Sequence, residues 1–450
     1  MDSSPAQPTI TERLAHSSLL DALRGRRSRR FGVGMRIPSG PFAYTSQRPP
    51  LPLAEDEEAA LAFAACGVTG YALADLAYGR GDGGAMLAGL LGRTVASADA
   101  INSVAVVVTN DEATYLLKRP QDFAPVEYTE MVELAQRGEL TEMYRRSRVK
   151  LMDGRAAPPV TPGYNFNINK WALYAPGSSY FVPIMERTEI YINALLEAFS
   201  PEMGLFVLDE RNNFQPAGIR KFGKTKGGHL DNEPRSGHVG TVHVIETSLA
   251  EAGAIEAGMM LQNLGLMSQA LGLGGYPNYA AHPWGWFEAL GFTMGHMPAS
   301  QYLGAPALVS TLLNLLHRDQ PVPYPLGLER DGRVLLKPYC PPYYPTMRDA
   351  VLAFVEKKFG AGGVWRGGAT QSAWQDSAGA AAQIPPLDDA AVEATIAYCE
   401  YIYGRYGRFP AYAAPFGTLL GYQATHVDVE FYDRFYRPAA LTDTQRQHMH

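Results

Sequence analysis

The chain has 450 residues, 46% hydrophobic and 19% charged, a balance that excludes disorder throughout and, at about 150 residues per domain, predicts two to three domains. With 39 basic and 45 acidic residues the net charge is −6, which offers no general attraction for nucleic acid. Cys66, Cys340 and Cys399 are odd in number and far apart, which argues against a disulfide framework. Together with an N-terminus that carries Asp2 and Glu12 and lacks an apolar signal core, this predicts a cytoplasmic protein.

Residues 1–23 read as a polar arm ending in a short helix. Residues 24–30 (RGRRSRR) then place five arginines in seven positions. After a Pro-rich loop, a helix is expected over 54–66, with acidic residues at the positive end of its dipole and Gly67 as its stop. Residues 104–109 (VAVVVT) are β-branched and uncharged and read as a buried strand. A helix over 188–198 and strands over 203–208 and 241–246 follow. Residues 256–271 read as a long helix, apolar on nearly all faces and therefore buried, stopped by Gly272, Gly274 and Gly275. Further helices are expected over 308–317 and 347–359. Residues 361–386, rich in Gly, Ala, Ser and Gln, read as a linker, and 387–406 as another helix before an aromatic C-terminus. The longest stretch free of charged side chains, residues 257–287, is broken by Gln262, Asn263, glycines and Pro277, so no membrane span is expected. Helices and a few strands alternate irregularly, which predicts an α+β fold.

Several patterns match a motif without its context. Residues 218–225 (GIRKFGKT) satisfy the phosphate-loop spacing, but loop-forming residues follow where a helix is required. Residues 79–84 (GRGDGG) satisfy G-x-G-x-x-G without a strand before them. His229, His238 and His243 lie near Asp231 and Glu233, and His426 near Asp428, in no metal-binding spacing; no metal is expected.

Three segments carry a resemblance: RRSRRF at 26–31 with AACGVTG at 64–70, ASADAINSVAVVV at 96–108, and EAGMMLQNLGLMSQALGLGG at 256–275. In this order they resemble the nitroreductase superfamily of FMN-dependent oxidoreductases, closest to the SagB-type dehydrogenases that oxidise azolines in modified peptides. The resemblance implies a central mixed sheet wrapped by helices, with FMN at a homodimer interface. It assigns Arg26, Arg27, Ser28 and Arg30 to the FMN phosphate and ribityl chain. Arginine suits that task because its guanidinium makes charge-assisted, often bidentate bonds to phosphate. It places Ser97, Ala98 and Asp99 beside the isoalloxazine, and Gly274 and Gly275 at the flavin's reactive edge, where a missing side chain admits the ring. Two letters depart from the pattern: Ala96 stands for a proline and Asp99 for a glycine. The lysine–tyrosine pair of azoline oxidation has no counterpart, so no catalytic base is assigned.

The expected domains are an arm (1–23), an FMN-binding domain (24–360), a linker (361–386) and a mostly helical C-terminal extension (387–450). Tyr398, Tyr401, Tyr403, Tyr406, Phe409 and Tyr412, with Phe431, Tyr432, Phe435 and Tyr436, make the extension a candidate cover over the substrate entrance. A chain ending at Gly360 is then expected to keep some flavin binding. The function read from all this is hydride transfer at flavin N5 on a small molecule or modified peptide, with NAD(P)H or O2 as redox partner. Two other readings stay open: a non-catalytic partner in a biosynthetic complex with a degenerate flavin site, and a nucleotide-binding protein using residues 218–225.

Overall fold

A computed structural model describes residues 9–79, 89–159, 167–278, 283–366 and 372–449. The elements that position the site are helices α1 (Leu19–Gly25), α2 (Glu55–Cys66), α3 (Val242–Leu271), α4 (Met347–Phe359), α5 (Asp389–Tyr406) and α6 (Asp443–Met449). The strands are β1 (Val104–Thr109), β2 (Ala113–Leu117), β3 (Arg148–Asp153), β4 (Ser179–Glu186), β5 (Gly274–Asn278) and β6 (Gly421–Thr425). They form one sheet in the order β5-β6-β4-β1-β2-β3, with Phe416–Gly417 also pairing with β4.

Every residue of β1, β4 and β6 is buried, as expected for strands covered on both faces. The two faces alternate along the chain. Val104, Val106, Val108 and Phe181 pack with Met260, Leu261 and Leu264 of α3 and the alanines of α2. Ala105, Val107, Tyr180, Val182 and Ile184 pack with Trp286, Phe287, Leu290 and Phe292 on the other side.

Five sequence expectations are corrected. The central sheet is not mixed: its pairings are all antiparallel, because hairpins and long returns join the strands in place of βαβ crossovers. The one parallel pairing among the described strands, Val239–Thr241 with Phe206–Asp209, lies outside this sheet. The strand expected over 241–246 is the first turn of α3. The Thr241 hydroxyl caps that helix by accepting from the Val244 N–H, and burial of Val242 and Glu246 overrides the β-branched composition.

The long helix is not buried all round. Val244, Glu251, Ile255, Gly258 and Gln262 form an exposed stripe, with Val244 at 58% and Ile255 at 62%. The stretch 387–450 is not an extension, because β6 lies inside the sheet between β5 and β4, and α5 packs on α4. Residues 361–386 are likewise tied down. Trp365 is fully buried with Leu90 and Ile384, and Ser377–Gln383 is a helix. Among the described residues no helix is long and apolar enough to cross a membrane.

Removing an interior strand exposes two unpaired edges and opens both cores. A chain truncated after Gly360 is therefore expected to be insoluble or to lack native far-UV circular dichroism. A soluble truncated chain with native dichroism would show that β6 is dispensable.

Candidate functional site

The polar residues of α3 each hold a different part of the chain. The Glu256 carboxylate, 1% exposed, accepts from the Ser97 hydroxyl at 2.9 Å, the Ser103 hydroxyl at 3.0 Å and the Val104 N–H at 3.2 Å, and forms an ion pair with Arg93. The Asn263 amide donates to the carbonyls of Ala64 at 3.1 Å and Thr94 at 3.5 Å. Gln269 Oε1 accepts from the Arg29 guanidinium at 2.8 Å and from Gln445 at 3.1 Å. The three segments singled out in the sequence thus meet along one helix. At 1.5 Å rise per residue, Glu256 and Gln269 are about 20 Å apart along its axis. The structure brings the Arg26–Arg30 run beside Gly274 and Gly275, and holds Ser97, Ala98 and Asp99 near the middle of the helix, beside Glu256.

At the Gln269 end the chain around Arg29 runs antiparallel against Gly275. A Cβ on Gly274 would lie 2.9 Å from the Arg29 carbonyl, and one on Gly275 2.5 Å from the Tyr422 hydroxyl, so both positions need glycine for close approach. Arg29 is a structural arginine. It is buried and donates to the carbonyls of Ala440 and Gly25 and to Gln269. Arg26 lies against α3, its Cδ 3.7 Å from where a Gly265 Cβ would stand. Arg27, Ser28 and Arg30 are exposed and line a cleft of about 530 Å³. Among the described residues no carboxylate lines it, and none pairs with Arg26, Arg27 or Arg30. The cleft therefore carries a positive potential suited to an anion.

Its walls are aromatic. Phe31 stacks on Phe431 at 4.1 Å and on Trp171 at 6.3 Å, Phe42 stacks on Tyr436 at 5.6 Å, and the Arg30 guanidinium sits 4.6 Å over the Tyr276 ring. Of the C-terminal aromatics, Phe431, Tyr432 and Tyr436 line the cleft. Tyr398, Tyr406 and Phe409 instead pack in the core beneath α4 and α5.

Beside the middle of α3, Asp99, Ala100 and Asn102 have φ of 53°, 51° and 53°. Three left-handed non-glycine residues in four positions are costly and persist only where the surroundings enforce them. The enforcing bonds run from Ser97, whose hydroxyl accepts from the Asn102 N–H at 2.8 Å, and from the Asn102 amide to the carbonyls of Leu91 and Ala100. Burial raises the Asp99 carboxyl above its usual range, and the charge of Lys358 opposes that. Lys358 is itself buried and donates to Asn193 Oδ1 at 2.6 Å; burial pushes its amine down to about 7, against the pull of Asp99 and Glu189. Asp99 interacts with this lysine, which no local motif announces because α4 is distant in sequence.

The other motifs carry no site. Residues 218–225 form two short 3₁₀ turns, Arg220–Phe222 and Lys224–Lys226, with no helix behind them to receive a phosphate, and Lys224 pairs with Asp231 at 3.0 Å. The nucleotide-binding reading is corrected on this ground. Of residues 79–84, all but the first lie outside the described residues. His229 and His238 bond to the carbonyls of Phe199 and Met203, and His243 packs on Tyr412; the three do not converge.

No protein-family model matches the chain, and no curated protein is similar to it. Among solved structures, a protein from Ralstonia eutropha JMP134 described provisionally as a nitroreductase aligns at 13% identity over 64% of this chain and 80% of its own, with a TM-score of 0.29. A superposition this loose leaves fold and function to be argued from the chain's own residues.

A lysine with a folded pKa near 7, against about 10.4 when unfolded, binds fewer protons folded than unfolded across that interval, so its burial penalty shrinks as pH rises. Relative to Lys358→Met, the wild type is expected to gain about 2–3 kcal/mol of unfolding free energy between pH 7 and pH 9 in urea titrations. A difference that does not change with pH would mean that the amine keeps its ordinary pKa.

Proposed function

We propose that the protein is a flavin-dependent oxidoreductase of the nitroreductase superfamily that holds FMN in the arginine-lined cleft. The observation that supports this best is the convergence on α3. Glu256, Asn263 and Gln269, all within the segment that carries the resemblance, bind the other two segments and leave the arginine cluster free beside an acid-free aromatic cleft. A cleft of about 530 Å³ falls within the size range of cofactor pockets.

In this reading Arg27, Arg30 and Ser28, which line the cleft, hold the phosphate and ribityl chain through charge-assisted bonds, while Arg26 lies outside the lining against α3. Phe431, Tyr432 and Tyr436 shield the ring from water, whereas the sequence expectation for Gly274 and Gly275 is corrected: both are buried, and the Arg29 carbonyl and Tyr422 hydroxyl occupy the space beside them. When bound, FMN supplies hydride chemistry at N5, and the protein supplies orientation and electrostatics. NAD(P)H, or a substrate with O2 as final acceptor, exchanges electrons with it. The substrate class is a small molecule or a modified peptide, as in the SagB-type branch.

The separation of about 20 Å along α3 gives Ser97, Ala98 and Asp99 no access to the same chain's cleft. A homodimer resolves this by placing the segment of one copy beside the arginines of the other. The exposed stripe of α3, with Ile255 and Val244 uncovered, is the surface such a pairing would bury.

Arg30→Ala is expected to weaken FMN binding at least tenfold in a fluorescence titration, since a bond to a charged group is worth about 1.5–3 kcal/mol. Unchanged affinity would mean that the arginines are a solvated surface run. Ile255→Asp is expected to give a folded monomer by sedimentation, because the side chain is already exposed in a single chain, and to lose flavin with the dimer. A monomeric wild type that binds FMN would remove the shared site and keep the cleft.

A further inference from the structure

The geometry points to a divalent transition-metal site formed by Glu57, His426 and His448, which staples the C-terminal helix α6 to the start of α2. Among the described residues one group of three ligand-type side chains converges, with its donor atoms all within 4.8 Å of one another, and this is that group. Its members come from the first turn of α2, the residue after β6, and α6. Glu57 and His426 are 4% and 5% exposed, and the His448 side chain 10%.

At His426 the hydrogen-bonding roles leave a positive charge missing. His426 Nδ1 is 3.1 Å from the Leu51 carbonyl, which can only accept, so Nδ1 carries the proton. In the neutral ring Nε2 then presents a lone pair, and it faces Glu57 Oε2 at 3.3 Å. Two lone pairs in a buried contact repel unless a cation stands between them. His448 Nδ1 accepts from the Arg13 guanidinium at 3.2 Å, so in the neutral ring Nε2 carries the proton and faces Glu57 Oε1 at 2.9 Å. A second ring nitrogen is therefore turned to the same carboxylate, and a metal would take the place of its proton.

The spacings suit a metal. Tetrahedral zinc with bonds of about 2.0–2.1 Å to nitrogen and oxygen sets its ligand atoms about 3.3 Å apart; His426 Nε2 stands 3.3 Å from one Glu57 oxygen and His448 Nε2 2.9 Å from the other, with one donor atom of each residue within 4.8 Å of the rest. A ligating imidazole usually donates its other N–H to a carbonyl or carboxylate, as His426 does to Leu51. Two imidazoles and a carboxylate favour zinc or a neighbouring late first-row ion over magnesium or calcium. One adjustment is needed. The exposed Arg13 guanidinium lies 3.2 Å from His448 Nδ1 and must turn away when that nitrogen carries the proton.

The rival is a metal-free cluster in which a proton fills the gap. Untagged protein is stripped with EDTA, dialysed against Zn²⁺, and analysed for zinc by atomic emission. About one zinc per chain is expected, with a rise in melting temperature that EDTA reverses. Co²⁺ in its place should give the visible bands of a tetrahedral site. His448→Ala should lower Co²⁺ affinity at least tenfold, and Arg13→Ala should leave it intact or raise it. No bound zinc with no change in melting temperature, a cobalt spectrum that stays that of the aqueous ion, or equal binding in His448→Ala would each overturn the site. The wild-type readings decide the matter even if the variant fails to fold.

Discussion

The constraint on which the molecule depends is the burial of Glu256 in the middle of α3. A carboxylate removed from water costs several kcal/mol unless paired and fully bonded, and removing one partner of such a pair typically costs about 3–5 kcal/mol. Here the charge is answered by Arg93 and by donors from Ser97, Ser103 and the Val104 backbone. That set fixes the register between α3 and the first residue of β1, and so of the helix against the whole sheet. Asn263 and Gln269 repeat the device in the following turns, toward Ala64 and Arg29. One helix thereby sets where the arginine cluster stands and where the Ser97 turn stands, and the distance between them.

Much of the fold was legible where local pattern and burial agree. The uncharged β-branched run at 104–109, the helix Thr188–Ala198 and the helix Met347–Phe359 occur with the bounds their composition implies. Features decided by distant contacts were not legible. Val242, Val244, Ile245 and Thr247 have strand composition, yet they lie in a helix because Glu246 is needed to accept the backbone N–H groups of Ala411 and Tyr412. Insertion of β6 between β5 and β4 joins residues about 150 positions apart, which no periodicity records. Trp365, in a stretch that reads as linker, is held by Leu90 and Ile384.

For the candidate site the sequence showed the arginine run as a cluster of positive charge, but not the division of labour within it. Arg29 is consumed by carbonyls and Gln269, and among the described residues Arg27 and Arg30 keep no carboxylate partner, bonding only to carbonyls and to Asn169. Phe42 and Trp171 join the cleft from elements the run gives no hint of, and Asn169 accepts from Arg30 beneath it. The strain at Asp99, Ala100 and Asn102 and the burial of Lys358 beside it arise from tertiary packing, as does the approach of His426 to Glu57 and His448. Sequence supplied the residue types, and the sheet supplied their company.

The C-terminal end and the middle of α3 divide the chemistry. The end offers positive charge with no carboxylate partner among the described residues and flat apolar walls, the middle a strained turn over a buried lysine. In the proposed reading a cofactor with an anionic tail and a planar ring would match the first, and a second copy of the chain would bring the second into reach. The most direct measurement is the visible absorption spectrum of the purified protein after incubation with FMN and desalting, with the released cofactor identified by chromatography. The account predicts flavin bands near one equivalent per chain and a cofactor that comigrates with FMN. A colourless protein, or one that retains only FAD, would contradict it.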